Sequence, residues 1–364
     1  MGKYFAPAFQ VTVNGSRLSA DVSKNIEQVQ VVSKPDTIDS FSLTIANPLP
    51  KLQWTHTSDR DLFQEGNLVT ISLGYADDLQ QMISGEITSL QPTFPDGGVP
   101  TVTIQGQSLL HRLQGASKVR SFQDKTDREI AEQIGSEVHL SVDADDTGPP
   151  LKYMCQNNET DIAFLKRRAS FLHFEILVPE TTLIYRKAQE SAQKVYTLLW
   201  TQSQKSFASV SSTLPLKSFS PQLNTKKPAN QVEYRSYDPA TKQAFVVSAD
   251  VGDQSSKMGG QQAGADVAAA ALKQQCKRVY VSVPFASQEE GQQMAKATYN
   301  ESAMDFVTGT AETIGIPDLR GGCVVELDGV GPRFNGEYYL DQVTHTIGGS
   351  GYQTSLSVKR NSTS

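Results

Sequence analysis

Between Phe9 and Gln105 turn-forming residues interrupt the chain so often that no helix of ordinary length fits, and short strands are what remains. Phe9 to Val13 alternates apolar and polar residues and stops at Asn14-Gly15, a dipeptide suited to the positive φ angles of a tight hairpin turn. Ile26 to Val32, Phe41 to Ile45, Leu68 to Leu73, Met82 to Leu90 and Val102 to Gln105 follow at short intervals. Lys34-Pro35-Asp36, Asn47-Pro48, Glu65-Gly66-Asn67, Gly74 and Pro95-Asp96-Gly97-Gly98 separate them. Six such strands read as a small barrel or sandwich. At 364 residues the chain is too long for one ordinary core, so at least one further domain is expected.

The pattern changes after Leu113. Thr126-Asp127-Arg128-Glu129 is a capping box, followed by Ile130, Ala131 and Ile134 on one helical face and Gly135 as a stop. Val138 to Val142 reads as a strand and Asp143 to Pro150 as a polar loop. Thr160-Asp161 opens a second helix with Phe164, Leu165 and Ala169, and its Lys166, Arg167 and Arg168 suit the helix dipole toward the C-terminal end. Phe174 to Val178 and Thr182 to Tyr185 complete a small α+β unit. Leu216 to Phe219, Gln231 to Ser236 and Ala244 to Ser248 then read as strands. The glycine-, glutamine- and serine-rich stretch 252–264 reads as a mobile loop. Helices are expected over Ala265 to Gln275 and after a capping box at Ser287 to Glu290. The end of the chain returns to strands at Val324 to Leu327, Tyr338 to Thr344 and Thr354 to Val358.

Two stretches share an order of features. Gly66 to Leu73, Gly85-Glu86-Ile87, Gly97-Gly98 and Thr101 to Ile104 run parallel to Gly322 to Gly329, Gly336-Glu337-Tyr338, Gly348-Gly349 and Thr354 to Val358. Each reads strand, turn, Gly-Glu strand, Gly-Gly turn, closing strand. The expectation is one β domain used twice, its second copy split by an insertion.

Chemistry-bearing residues do not converge. The five histidines, His56, His111, His139, His173 and His345, show no i,i+4 metal spacing. Cys155, Cys276 and Cys323 have no C-x-x-C spacing, and an odd count fits a reducing compartment. Asp143-Ala144-Asp145-Asp146-Thr147-Gly148 lacks the ligand spacing and distal glutamate of an EF-hand, so a solvated loop is expected. No phosphate loop, G-x-S-x-G or nucleophile-base pair is present, and the pairs Asp77-Asp78 and Glu289-Glu290 sit at a turn and a helix start. The net charge of −6 argues against specific nucleic-acid binding. No secretory leader and no membrane-spanning run is evident.

The block Thr308-Gly309, Glu312 to Gly322, Gly331-Pro332-Arg333-Phe334-Asn335-Gly336-Glu337-Tyr338-Tyr339, Val343 to Ile347 and Gly351 to Thr354 resembles the late control protein D family of contractile-tailed phages. That family is related to the phage baseplate hub and to the N-terminal part of VgrG. Asp124 to Ile134 and Gln156 to Arg167 are similar to its helical insertion. The resemblance implies a mainly β fold with α+β insertions: two similar antiparallel, tail-tube-like β-barrels plus two inserted smaller domains. The expected division is 1–115 for the first barrel, 116–186 for the α+β insertion, 187–240 with 305–364 for the second barrel, and 241–304 for a second insertion. It further implies a non-enzymatic baseplate hub without cofactor, a homotrimer adapting a six-fold tail tube to a three-fold central spike. Its partners would be the tube protein, the spike protein and other baseplate proteins of a virion or injection particle assembled in the bacterial cytoplasm. A ring lumen is expected to be neutral to acidic. Alternatives are a tail-associated peptidoglycan hydrolase or a carbohydrate-binding tail protein, the latter with only Trp54 and Trp200 as tryptophan platforms. Gly66, Gly85, Gly322 and Gly336 are expected at tight turns or bulges. Phe334, Tyr338 and Tyr339 are expected in the core, with a neighbour-facing role as the alternative. Arg320 and Arg333 are candidates for inter-subunit ion pairs or solvated positions, and His345 for a structural hydrogen bond.

Overall fold

The computed structural model describes residues 6–46, 62–76, 78–202, 212–226, 228–238, 242–281, 285 and 287–363. Trp54, His56, Asp77 and the Asn47-Pro48 separator lie outside them. The first module holds strands β1 (Pro7–Val13), β2 (Ser16–Arg17), β3 (Ile26–Ser33), β4 (Ser40–Ala46), β5 (Leu68–Tyr75), β6 (Asp78–Thr93) and β7 (Thr101–Ser108). A short helix α1 (Ala20–Ser23), capped by the Ser19 side chain, precedes β3. The strands pair in the order β2-β1-β5-β6-β7-β4-β3. Alternation decides the inner face: Val29 and Val31, Phe41, Leu43 and Ile45, Val69, Ile71 and Leu73, Val102 and Ile104 are all buried in one cluster. Each such side chain contributes roughly 1.5–3 kcal/mol on full burial.

The α+β unit follows, with β8 (Lys118–Lys125), α2 (Asp127–Glu137), β9 (Ser141–Ala144), β10 (Leu151–Glu159), α3 (Asp161–Leu172), β11 (Phe174–Leu177) and β12 (Thr182–Lys187). Thr126 and Glu129 form the expected reciprocal capping box. Gly135 does not stop α2, which continues to Glu137; the glycine is there because a Cβ would collide with Val142. Arg168 does not serve the helix dipole in solvent. It is buried, and its guanidinium donates two hydrogen bonds, of 2.7 and 2.9 Å, to the Asp127 carboxylate.

The chain then alternates between a second module and an excursion. The module takes β13 (Thr197–Leu199) and β14 (Thr213–Leu223). The excursion holds β15 (Gln231–Asp238), β16 (Gln243–Asp250), β17 (Gln262–Ala263), α4 (Gly264–Leu272), β18 (Lys277–Val281) and α5 (Gln288–Ala303). The module resumes with β19 (Val307–Ile314), β20 (Val324–Asp328), β21 (Gly336–Gly348), β22 (Gly351–Arg360) and β23 (Ser362–Thr363). Two sequence expectations change here. Gln231 to Ser236 is not part of the second barrel: β15 lies between β16 and β18, where Val232 and Tyr234 pack with Met294, Ala295 and Tyr299 of α5. Stretch 252–264 is not simply a loop, since Gln262 and Ala263 pair with Thr363 and Ser362 and Met258 is buried.

The second module closes through β13-β14-β19-β22-β21-β20 and back to β13. It is not antiparallel throughout, because β13 runs parallel to both neighbours. The first module has the matching order β1-β5-β6-β7-β4-β3. The likeness extends to irregularities. A bulge between Ile26 and Gln28 in β3 recurs between Leu216 and Ser218 in β14. Another between Ile87 and Ser89 in β6 recurs between Leu340 and Gln342 in β21. These bulges align Gly85 with Tyr338, so the two Gly-Glu dipeptides are not equivalent. A match of two glycines in sequence had placed them two residues out of step. In the first module, among the described residues, β1 and β3 are not paired to close a ring. There α1 occupies the stretch before β3, and the outer edge of β3 is taken by β21 of the second module.

Candidate functional site

That contact between β3 and β21 makes one antiparallel sheet of eight strands across both modules, in the order β6-β7-β4-β3-β21-β22-β19-β14. Side chains alternate across a strand, so burying one face in the two cores turns the other outward. Equivalent outward positions carry Gln30 and Ser220, Ser42 and Thr310, Gln105 and Ser357, and Gln91 and Thr344. Glu312 and Lys359 are the charged exceptions among the strand positions matched this way. Lys359 is neutralised by Asp341 at 2.8 Å. A shallow cavity of about 260 Å³ opens on this face, lined by Gln30, Val32, Ser40, Ser42, Thr88 and Gln105 among others. With Lys359 paired, Glu312 leaves these matched positions a single net negative charge, and a surface otherwise of hydroxyls and amides gives a passing polyanion nothing to bind.

The residues singled out from sequence separate into three places. At the junction of the modules, His345 is fully buried on β21. Its Nε2–H donates to the Leu319 carbonyl at 2.9 Å, and its Nδ1 faces the hydroxyls of Tyr352 at 3.0 Å and Thr354 at 3.2 Å. Burial and the nearby Arg320 guanidinium push its pKa down to about 3. Among the described residues Arg320 pairs with no carboxylate. It donates to the backbone carbonyls of Pro317, Leu319 and Gln81, tying the second module to β6. Tyr75 adds a bond to the Gly315 carbonyl, 2.9 Å, and burial pushes Asp39 up to about 7.

At the junction with the α+β unit, Tyr339 donates to Glu175, which also accepts from Arg186 Nε at 2.7 Å. Burial raises the Glu175 pKa and that of the Tyr339 phenol. Gly322, at φ +87, leaves room beside both the Arg186 and Glu175 side chains. A cavity of about 290 Å³ opens here between Asp36, Lys166, Glu175, Glu301, Tyr339 and Asp341. Inside the second module, Gly336 at φ +132 makes room for Arg360, whose guanidinium lies over Tyr338 at 5.5 Å. The Tyr338 hydroxyl donates to the Phe334 carbonyl, and Phe334 packs at the edge of that core. Arg333 is exposed. Gly66 takes φ +86 before β5, and Gly85 lies where a Cβ would collide with the Gln107 carbonyl. Sequence reasoning missed Arg360, Glu175, Arg186 and Asp39; charged residues look like ordinary solvent-facing positions until the fold buries the first two and half-buries the others.

Among the described residues no group of three His, Cys, Asp or Glu side chains could hold a metal ion, and no helix is long and apolar enough to cross a membrane. The family model described as Alg8 N-terminal domain matches residues 5–349, nearly the whole chain. The chain belongs to the Alg8 N-terminal domain family. Among curated proteins no sequence matches it. Solved structures do. The prophage MuSo2 43 kDa tail protein from Shewanella oneidensis is similar over 98% of this chain and 99% of its own, with TM-score 0.69 at 12% identity. A tail protein from Neisseria meningitidis is similar over 98% and 97%, with TM-score 0.69 at 17% identity. An Escherichia coli protein described as a component of the type VI secretion system, similar to the T4 bacteriophage tail proteins gp27 and gp5, gives TM-score 0.60 at 10% identity. That likeness covers 97% of this chain and 77% of the other. At such identities the shared property is the fold, and this Alg8 N-terminal domain chain has the fold of phage tail proteins from end to end.

Proposed function

We propose that the protein is a structural, non-enzymatic hub of a contractile tail or related injection device, of the late control protein D kind. Three copies would form a ring in which the two modules of each chain act as two barrels. Six similar modules then face a six-fold tail tube on one side while the trimer faces a three-fold spike on the other. The eight-strand sheet carries this reading. Three such sheets joined end to end make a closed wall, and its Ser-, Thr- and Gln-rich face, turned inward, gives a nearly neutral lumen. Tube, spike and other baseplate proteins are the partners, and the particle's tail baseplate, put together in the bacterial cytoplasm, is the location. Electron microscopy of the purified protein mixed with its tube protein tests this. Rings stacked coaxially on tube ends are expected; tubes whose ends stay bare at saturating protein would reject the hub role.

A further inference from the structure

The last few residues of a domain usually fray unless something ties them down. Here β22 ends in Arg360, and Arg360, Asn361, Ser362 and Thr363 are all buried. They lie against a strap from the excursion, residues 254–263, which contributes β17 opposite β23. Three side chains of this tail donate to backbone carbonyls: Asn361 Nδ2 to Ser256 at 2.6 Å, Ser362 Oγ to Lys257, and Thr363 Oγ1 to Arg333 at 2.9 Å. In return the Gln261 amide donates to the Thr363 carbonyl at 3.0 Å, and the Gly264 amide just beyond the strap to the Asn361 carbonyl at 2.8 Å. The approach is close: a Cβ on Gly260 would lie 2.2 Å from Ser362 Oγ.

The same place collects polar groups that the closed arrangement leaves unmet. Six buried side-chain nitrogen or oxygen atoms have no hydrogen-bond partner among the described residues, and four of them are Arg360 Nε and Nη2, Asn361 Oδ1 and Gln254 Oε1. Gln254 and Asn361 both donate to the Ser256 carbonyl, so their amide oxygens are neighbours. Among the described residues Arg360 bonds only through Nη1, to the Asn335 carbonyl at 2.7 Å, and pairs with no carboxylate. Burying a cation without an opposite charge, or an amide oxygen without a donor, costs free energy that solvation in an opened form returns. Few apolar contacts resist opening. Between 254 and 262 Met258 alone is buried, seated against Met304, Val324 and Tyr339.

We propose that strap and tail form one latch, which opens as a unit while both modules stay folded, and that the unpaired Arg360 sets how often it opens. The hydrogen bonds are shared between the two segments, so neither leaves without the other. Segments with few buried apolar contacts are where proteins open locally. Opening loosens the excursion from the end of β22 and uncovers a guanidinium and the apolar seat of Met258. The inference does not depend on the hub reading.

Hydrogen–deuterium exchange of the full chain, read by mass spectrometry, tests it. Peptides covering 256–264 and 359–363 should share one protection factor, at least tenfold below that of β21 and the body of β22. Arg360→Met keeps an unbranched side chain and removes the charge, and the half-buried Asn335 carbonyl it releases can turn to water. This variant should raise protection several-fold in both peptides. Ser362→Ala removes the bond to Lys257 and should lower it several-fold in both, leaving β21 unchanged. Strap and tail peptides that respond separately, or that exchange no faster than β21, would overturn the latch. Protection that is unchanged or lower in Arg360→Met, or a variant that fails to fold, would overturn the role given to Arg360.

Discussion

Replacing His345 by glutamine isolates the proton balance of the module junction. With a folded pKa of about 3 against an ordinary 6.5, His345 stays neutral where the unfolded chain takes up a proton. Its contribution to stability is complete above pH 6.5 and is lost as pH falls toward 3. At about 1.4 kcal/mol per pH unit, acidification from pH 7.5 to 4.5 removes about 2.7 kcal/mol. Asp39 works the other way. Its folded pKa of about 7 lies above the ordinary 3.8, so the folded chain keeps a proton that the unfolded chain releases. Over the same range it adds about 3 kcal/mol as pH falls. The two nearly cancel, and the junction of the native protein should be close to indifferent to pH. Glutamine keeps the donor to Leu319 and takes away the acceptor facing Tyr352 and Thr354, which costs about 1–2 kcal/mol at pH 7.5. It also removes the titration. Urea unfolding followed by near-ultraviolet circular dichroism should show the variant less stable at pH 7.5 and overtaking the native protein in acid, with m-values unchanged. Curves that stay parallel from pH 7.5 to 4.5 would refute the reasoning.

Asp39→Asn keeps an acceptor for the Lys34 amide, 2.9 Å, without a buried charge; urea midpoints at pH 8 should rise by the equivalent of roughly 2–4 kcal/mol, and at pH 4 by little. Tyr339→Phe takes a donor from the buried Glu175 carboxylate and should cost about 1.5–3 kcal/mol in the same assay, with the loss shrinking once acid protonates Glu175. Asp127→Ala leaves Arg168 buried without its bidentate partner, an expected loss of roughly 3–5 kcal/mol, read as faster amide exchange in α2 and α3. Gly336→Ala combines a left-handed backbone with a Cβ 2.7 Å from Arg360 Nη2, and should lower stability by roughly 3 kcal/mol or more in thermal melts.

Local rules made the elements legible. Thr126 and Glu129 cap α2, Thr160 caps α3, and each early strand read from alternation lies within an observed one. The duplicated strand order was also visible, although its Gly-Glu dipeptides do not superpose, because the alignment is fixed by bulges that leave no residue signature. Position in the fold was less legible. Gln231 to Ser236 has the same pattern whether it joins the barrel or pairs with β18. Arg168, Glu175 and Arg360 carry charge, which in sequence implies solvent, and only tertiary packing shows them buried. His345 makes contacts with Leu319, Tyr352 and Thr354, none of them inferable from spacing. The eight-strand face was not anticipated, since it arises from the β3 to β21 pairing between residues far apart in sequence.

What most needs weighing is the isolated particle. Multi-angle light scattering across a concentration series, at neutral pH and moderate salt, should converge at high concentration on three chain masses. Convergence on two, or a single chain at every concentration, would contradict a ring built from three eight-strand sheets.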